Sequence, residues 1–384
     1  MIKQVNSTRR VAGWVFLIQV AIILLAILIT MKVAFGKESI PKSKQPRVEV
    51  IFCLDTTGSM SGLIEGAKKK IWSLANQIVK GKPTPDLYIG LVGYRDKGDE
   101  YVTKVFNLDD DLDSVFKNLM SFYAGGGGDT PEHVNKALND AVHKINWSKD
   151  EKTLKIIFLV GDCPPHMDYQ DGYDYHKICE EAVRNDIIIN TVQCGYYAET
   201  VECWQEIARL GEGKYARVEQ TGGMQVVETP MDRELAKLNS EFEGTIIPYG
   251  SDEVRTRHRE LKEDLSLMAP EVAAERVACK ASVGKISTYD LIDAVKSGEL
   301  KLEDLKDKDL PDEMRGMSLK ERQGHLAKKE EERKRLKVKI DELTKKRSAY
   351  ILKRLKETGG NKDSFDKIVQ EFIKEQASKK GIRY

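Results

Sequence analysis

"VEVIFCLDTTGSMSGLIEGAKKKI", from Val48 to Ile71, decides how the rest of the chain is read. It opens on an apolar, β-branched run, Val48–Leu54, of the kind a central parallel strand needs because both its faces are covered. The run ends in Asp55. Thr56, Thr57, Gly58, Ser59 and Ser61 follow, and then a helical spacing runs through Leu63, Ala67, Ile71, Leu74 and Ile78 to about Val79. Strand, polar turn and helix in that order begin a unit of alternating strands and helices. One acid and several hydroxyls at the mouth of a buried strand can hold a phosphate, supply a nucleophile or hold a metal ion.

The alternation continues downstream. Leu87–Tyr94 reads as a second strand, and Tyr101–Leu108 as an antiparallel edge strand joined to it by a hairpin turn containing Asp96. A helix over Leu112–Phe122 leads to the glycine loop "AGGGGDTPEH", where Pro131 suits a first helical turn. Helix to about Lys144, strand at Leu154–Val160, helix near Asp174–Arg184, strand at Ile187–Gln193, helix near Thr200–Leu210, short strand near Lys214–Val218 and helix from about Met224 to Leu238 follow. This order predicts an α/β domain, a doubly wound, mostly parallel, Rossmann-like sheet, over residues 47–245.

Ligands of such sheets sit at the carboxyl ends of the strands, near the point where strand order reverses. Asp55 and Asp162 both end strands there, and "GGGGDTPE" can join them. A phosphate fits poorly. The chain has no G-x-x-x-x-G-K-[ST] and no G-x-G-x-x-G after a strand, and the two carboxylates would repel the anion. A nucleophile fits little better. Asp55 could accept a phosphoryl group in a haloacid-dehalogenase-like phosphatase, but Thr57 stands where the second acid of D-x-D belongs. Ser59 and Ser61 have no histidine arranged as base, since His166 and His176 lie far along the chain. A hard cation fits best, because carboxylates, hydroxyls and waters are the oxygen ligands of Mg²⁺.

The D-x-T-x-S at the first strand end, the threonine after a glycine loop and the aspartate at the fourth strand end resemble the metal-ion-dependent adhesion site of von Willebrand factor type A domains. The resemblance covers about half of the chain. It places the metal ligands on Asp55, Thr57, Ser59, Thr130 and Asp162. Thr57 replaces the usual serine but keeps a hydroxyl, and Cys163 after Asp162 is unusual. The resemblance implies a binding module, not an enzyme. Mg²⁺, or Mn²⁺ or Ca²⁺, keeps one coordination position open for a carboxylate of a protein partner. "PPHMDYQDGYDYH" then reads as the rim of the contact surface, with Tyr169, Tyr173 and Tyr175 among acids. A second metal on Asp168, Asp171 and Asp174 misses the EF-hand spacing, and Trp204 reads as core.

Residues 11–35, "VAGWVFLIQVAIILLAILITMKVAF", carry no charge before Lys32 and are long enough to span a bilayer, whereas the core of a signal peptide is shorter, ~7–15 residues. Residues 1–36 are read as a short tail and transmembrane anchor, and 37–46 as a polar tether. More basic residues follow the span than precede it, which opposes export, but a short basic tail ahead of an N-terminal span favours it. The expectation is a single-pass membrane protein with an extracytoplasmic main domain. A cytoplasmic domain would instead fit a module coupled to an ATPase.

The 384 residues carry a net charge of +1, which does not point to nucleic acid, and 32% are charged, against roughly 25% in typical chains. The excess lies in residues 250–384, read as a charged helical region. Ser318–Glu357 predicts one long helix or helical hairpin with an irregular coiled-coil-like seam at Leu336, Ile340, Leu343, Tyr350 and Leu355, and Phe365–Gln376 a final helix. A scaffold acting through these helices is the other non-enzymatic alternative. None of the six cysteines forms a C-x-x-C pair, so they are expected to be buried thiols.

Overall fold

The computed structural model describes residues 45–283, 286–359 and 363–384. Six strands form one sheet: β1 (Arg47–Asp55), β2 (Asp86–Tyr94), β3 (Thr103–Asp109), β4 (Leu154–Gly161), β5 (Ile187–Cys194) and β6 (Glu212–Val218). Their spatial order is β3-β2-β1-β4-β5-β6, and only β3 runs antiparallel. The hairpin expected from the short connection after β2 is therefore the antiparallel edge. In the centre Val50 lies opposite Ile89 on one side and Ile156 on the other, so β1 is hydrogen-bonded along both edges.

The period of two along β1 divides the core. Val48, Val50, Phe52 and Leu54 face one layer, where α1 (Ser61–Ile78), α2 (Leu112–Met120) and the last helix, α11 (Phe365–Ser378), pack. Ile51 and Cys53 face the other, covered by α3 (Val134–His143), α4 (Tyr175–Arg184) and α5 (Ala198–Leu210). Trp204 is fully buried in that second layer. The cysteines are all free, with Cys163 and Cys203 half-exposed and the other four buried.

Two expectations are corrected. The helix predicted from Met224 begins only at Asp232 (α6, Asp232–Glu243). Pro230 lies between, and the Asp232 carboxylate accepts from the Thr229 N–H at the turn into the helix. The helices after residue 250, expected as a separate charged region, belong to one compact unit, Pro46–Tyr384. Their charges hide apolar faces. α8 (Pro270–Ser282) buries Val272, Ala274, Val277 and Cys279, and α11 buries Phe365, Ile368, Val369 and Ile373 against the sheet. Asn190 of β5 and Gln376 of α11 exchange two amide hydrogen bonds at 2.7 and 3.1 Å in the same buried layer.

Between them lie α7 (Asp252–Ser266) and α9 (Leu291–Ser297). α10 (Leu319–Thr358) is a single helix opened by a Ser318–Glu321 capping box, not a hairpin. Its buried residues, Leu326, Arg333, Leu336, Ile340 and Arg347, pack within the chain, Leu336 and Ile340 meeting α6 and α8. The Leu336, Ile340 and Leu343 part of that seam is thus packed against this chain's own helices. Among the described residues no helix is long and apolar enough to cross a membrane, and the anchor expected at 11–35 lies outside them.

Candidate functional site

The strand order turns between β1 and β4, and their carboxyl ends open the crevice in which ligands of such sheets bind. Asp55 ends β1 and Asp162 directly follows β4. A side chain on Gly161 would collide with the Tyr94 hydroxyl and come within 3.0 Å of Asp55 Cβ, so the glycine lets the two strand ends close on each other.

Asp55 is fully buried. Its Oδ1 accepts from the Thr57 backbone N–H at 2.8 Å and from the Thr57 hydroxyl at 2.6 Å. The Ser59 hydroxyl stands 3.4 Å from that of Thr57. Asp162 Oδ2 accepts from the Gln220 amide at 2.7 Å. Asp55 Oδ2 and Asp162 Oδ1 are buried with no hydrogen-bond partner. Such orphaned carboxylate oxygens call for an explanation in a folded protein, and an ion is one of the standard ones.

The glycine loop is drawn over these groups by its backbone. Gly125 N–H donates to Thr56 O at 3.0 Å, and Gly58 N–H donates to Gly126 O at 3.3 Å. Gly126 and Gly127 both have positive φ, +73° and +78°, and a side chain on Gly126 would strike the Asp99 carboxylate that accepts from Gly127 N–H. Thr130 follows on the outer part of the loop and is exposed. Among the described residues no hydrogen bond joins its hydroxyl to the other four predicted ligands. The structure therefore brings Asp55, Thr57, Ser59 and Asp162 together and leaves Thr130 on the loop above them.

Sequence reading missed Glu132. Its backbone N–H donates to Pro164 O and its carbonyl accepts from His166 N–H, both at 3.0 Å, which ties it to the segment after β4. Its side chain is buried, with Oε2 unpartnered, and borders Thr57 where a Gly127 side chain would lie. Gln220, in the loop after β6, was missed too. The electrostatics reflect this crowding. Burial and then the charge of Asp162 push the Asp55 carboxyl up to about 7. Burial and then the charges of Asp55, Asp96 and Asp99 push Glu132 up to about 9. No lysine, arginine or histidine forms an ion pair with Asp55, Glu132 or Asp162 among the described residues. Cys163 beside them stays a thiol, since burial and the Asp162 charge push it up. The donors left facing the crevice are carboxylate and hydroxyl oxygens, which fit a hard divalent cation.

The rim differs from expectation. Tyr175 is buried at the start of α4, its hydroxyl donating to Glu206 at 2.8 Å, and offers no contact surface. Tyr169 and Tyr173 are half-buried, with the Tyr169 hydroxyl donating to Asp96 Oδ2 at 2.6 Å. The exposed side chains at this end are instead Tyr123, Met167, Tyr196 and Tyr197. Asp96, expected at the surface of a turn, is buried. Asp168, Asp171 and Asp174 do not form a site. Asp168 pairs with His166, Asp171 with Lys97 and His133, and Asp174 caps α4. His166 and His176 are held by these acids and make no hydrogen bond to Ser59 or Ser61 among the described residues.

Comparison with known proteins adds to this geometry. Residues 49–230 match the family model described as von Willebrand factor A domain. A putative ariadne-like RING finger protein, R811, of Acanthamoeba polyphaga mimivirus is 21% identical over 228 residues, 54% of this chain and 22% of that protein. The von Willebrand factor A domain-containing protein 7 of Homo sapiens is 37% identical over 120 residues, 31% of this chain and 12% of that protein. The chain thus spans less than a quarter of either relative. Among solved structures, proximal thread matrix protein 1 from the mussel byssus with zinc occupied MIDAS motif is similar at 12% identity and a TM-score of 0.36, covering 46% of this chain and 42% of that one. Over residues 49–230 the chain thus resembles a von Willebrand factor A domain.

Proposed function

We propose that the domain binds a protein partner through a divalent cation, Mg²⁺ or else Mn²⁺ or Ca²⁺, held by Asp55, Thr57, Ser59, Thr130 and Asp162. The observation that carries this reading is the set of buried carboxylate oxygens at the strand-order switch, Asp55 Oδ2, Asp162 Oδ1 and Glu132 Oε2, which have neither a hydrogen bond nor a protein cation. When bound, the cation supplies a Lewis-acidic coordination position for an acidic residue of the partner. The chain's residues do the rest. Thr57 fixes the rotamer of Asp55, Gln220 fixes Asp162, and Tyr123, Met167, Tyr196 and Tyr197 offer apolar contact around the charge. The reading is one of binding: the carboxylate beside the Thr57 hydroxyl, Asp55, is taken as a ligand of the cation, and neither His166 nor His176 is hydrogen-bonded to Ser59 or Ser61 among the described residues.

The test is calorimetric titration of Mg²⁺, Mn²⁺ and Ca²⁺ into the purified full chain, beside Asp55→Ala and Thr130→Ala. Saturable binding that both variants lose is expected. Saturable binding unchanged in both would remove the proposal. Residues 11–35 are proposed as a single transmembrane anchor with the domain outside the cytoplasm, on the strength of their length and lack of charge. Digestion of the domain by protease added to intact cells is the expected result, and protection until lysis would place the domain inside.

A further inference from the structure

A second cluster lies beside the strand-end site. One carboxylate oxygen each from Asp96 and Asp129 and one ring nitrogen of His166 all lie within 4.8 Å of one another. Asp96 comes from the β2–β3 hairpin, Asp129 from the glycine loop, and His166 from the segment after β4. Two of the three are buried in ways that need a partner. Asp96 is 5% exposed and His166 6% exposed, and Asp96 Oδ1 and His166 Nε2 have no hydrogen-bond partner. Nε2 stands 3.5 Å from Asp96 Oδ2, beyond a hydrogen bond.

The surroundings hold these groups in place. His166 Nδ1 lies 2.8 Å from Asp168 Oδ1, and in the tautomer that donates Nδ1–H to that carboxylate the Nε2 lone pair is on the side of Asp96. That carboxylate–imidazole arrangement is the usual support of a metal-ligating histidine. Tyr169 stacks on the ring at 4.1 Å between centroids and 10° between planes, and the same tyrosine donates its hydroxyl to Asp96 Oδ2. The His166 backbone is fixed at both ends, N–H to Glu132 O and carbonyl from the Asn135 amide at 2.8 Å. Ring orientation and carboxylate orientation are thus set before any ligand arrives.

We propose that Asp96, Asp129 and His166 form a second metal site, separate from the strand-end site, selective for a borderline cation such as Zn²⁺. Two carboxylates and one imidazole are a ligand set that Zn²⁺ and Co²⁺ accept and that Mg²⁺, which takes oxygen ligands, disfavours. Three protein ligands leave a position for water. An ion here joins the β2–β3 hairpin, the glycine loop and the segment after β4. Asp129 adjoins Thr130, so the ion also pins the loop that carries a proposed ligand of the first site.

The test is titration of Co²⁺ into the full chain in excess Mg²⁺, read by its visible absorption, with Zn²⁺ calorimetry alongside. One saturable site is expected, weakened at least tenfold in His166→Gln and Asp129→Ala and retained in Asp55→Asn. Asp129 is exposed, so its variant separates loss of a ligand from loss of the fold, and a thermal melt in chelator checks both variants. Asp168→Asn is expected to weaken binding about tenfold through the lost support of the ring. Absence of a saturable site in excess Mg²⁺ overturns the proposal. So does binding that survives in both ligand variants, or binding that Asp55→Asn removes, since either assigns the ion elsewhere.

Discussion

Two of the places where the molecule buries acids treat them in opposite ways. At the junction of α2, α6 and α8, Arg276 is fully buried and donates to Asp113 Oδ1 at 2.6 Å, to Asp113 Oδ2 at 2.9 Å, to Glu243 at 2.7 Å and to Asn239 at 2.6 Å. Lys280 adds a second cation, 2.7 Å from Asp113 and 3.6 Å from Asp111. At the strand ends, Asp55, Asp162 and Glu132 meet only neutral donors. Arg95 is buried nearby, yet its guanidinium goes to the carbonyls of Thr56 and Tyr123 and to Glu100. One cluster has its cations within the chain and locks the C-terminal helices to the sheet domain, with Glu243 Oε1 left without a hydrogen bond 3.5 Å from His258 Nδ1. The other is acidic only and has no lysine, arginine or histidine ion-paired to it among the described residues.

The largest effect expected from breaking this contrast is at the Arg276 cluster. Arg276→Met leaves Asp113 and Glu243 buried without their main cation, and removing one member of a buried pair costs about 3–5 kcal/mol. Denaturant unfolding should show that loss whether or not metal is present. A loss below about 1 kcal/mol would mean that water or Lys280 already neutralises the acids and that the junction is not the lock described.

Next in size is the response to pH, where the clusters carry opposite signs. Burial alone would raise the Asp113 carboxyl, but the charges of Arg276 and Lys280 outweigh it and hold it well below the usual carboxylate range. Its contribution is therefore present above pH ~4 and lost as pH falls. Asp55 is raised to about 7 and Glu132 to about 9, so their contributions are present below pH ~4 and lost as pH rises through those values. In chelator, stability should fall by several kcal/mol from pH 5 to pH 9, and Asp55→Asn should remove about half of the part below pH 7. Saturating Mg²⁺ should flatten the fall, adding about 2.7 kcal/mol at a hundredfold excess over Kd. A profile in chelator that is flat from pH 5 to 9 would show that the strand-end acids are already compensated.

The two clusters also differ in how well the sequence announces them. Asp55, Thr57 and Ser59 sit at one strand end, and Asp162 ends another apolar run, so strand position and spacing are enough to find them. Glu132 is two residues past Thr130 and looks like an ordinary acid near a helix start. Its burial depends on the bridge to Pro164, which no local pattern encodes. Asp96 is disguised in the same way, as one of several charges in "YRDKGDE" that reads as a solvated turn. The Arg276 cluster is illegible for a different reason. Asp113, Glu243 and Arg276 lie on three helices up to 163 positions apart, each on a helix whose charges look solvated, and only tertiary packing brings them together. The α/β class and its antiparallel edge were readable because hairpin length and apolar runs are local. The placement of α11 against Phe52 and Phe158 was not, because an amphipathic helix does not say which face it will cover.

The smallest effect tests the contrast most finely. Gln220 donates to Asp162 Oδ2 at 2.7 Å and stands 3.3 Å from Ser59 O, so a neutral amide does at the strand ends a little of what Arg276 does at the helix junction. Gln220→Ala removes a hydrogen bond to a charged group, a loss of roughly 1–2 kcal/mol for a half-buried donor. That loss belongs to the metal-free protein. Once a cation neutralises Asp162, the amide has less charge to stabilise, and the penalty should shrink. The measurement is a double comparison, wild type and Gln220→Ala, each unfolded in chelator and in saturating Mg²⁺. A penalty smaller by at least about 0.5 kcal/mol with Mg²⁺ is the coupling expected between two groups that act on one carboxylate. Equal penalties in both conditions would mean that the cation and the amide do not share Asp162, and the ligand set would then have to be redrawn around Asp55 and Glu132.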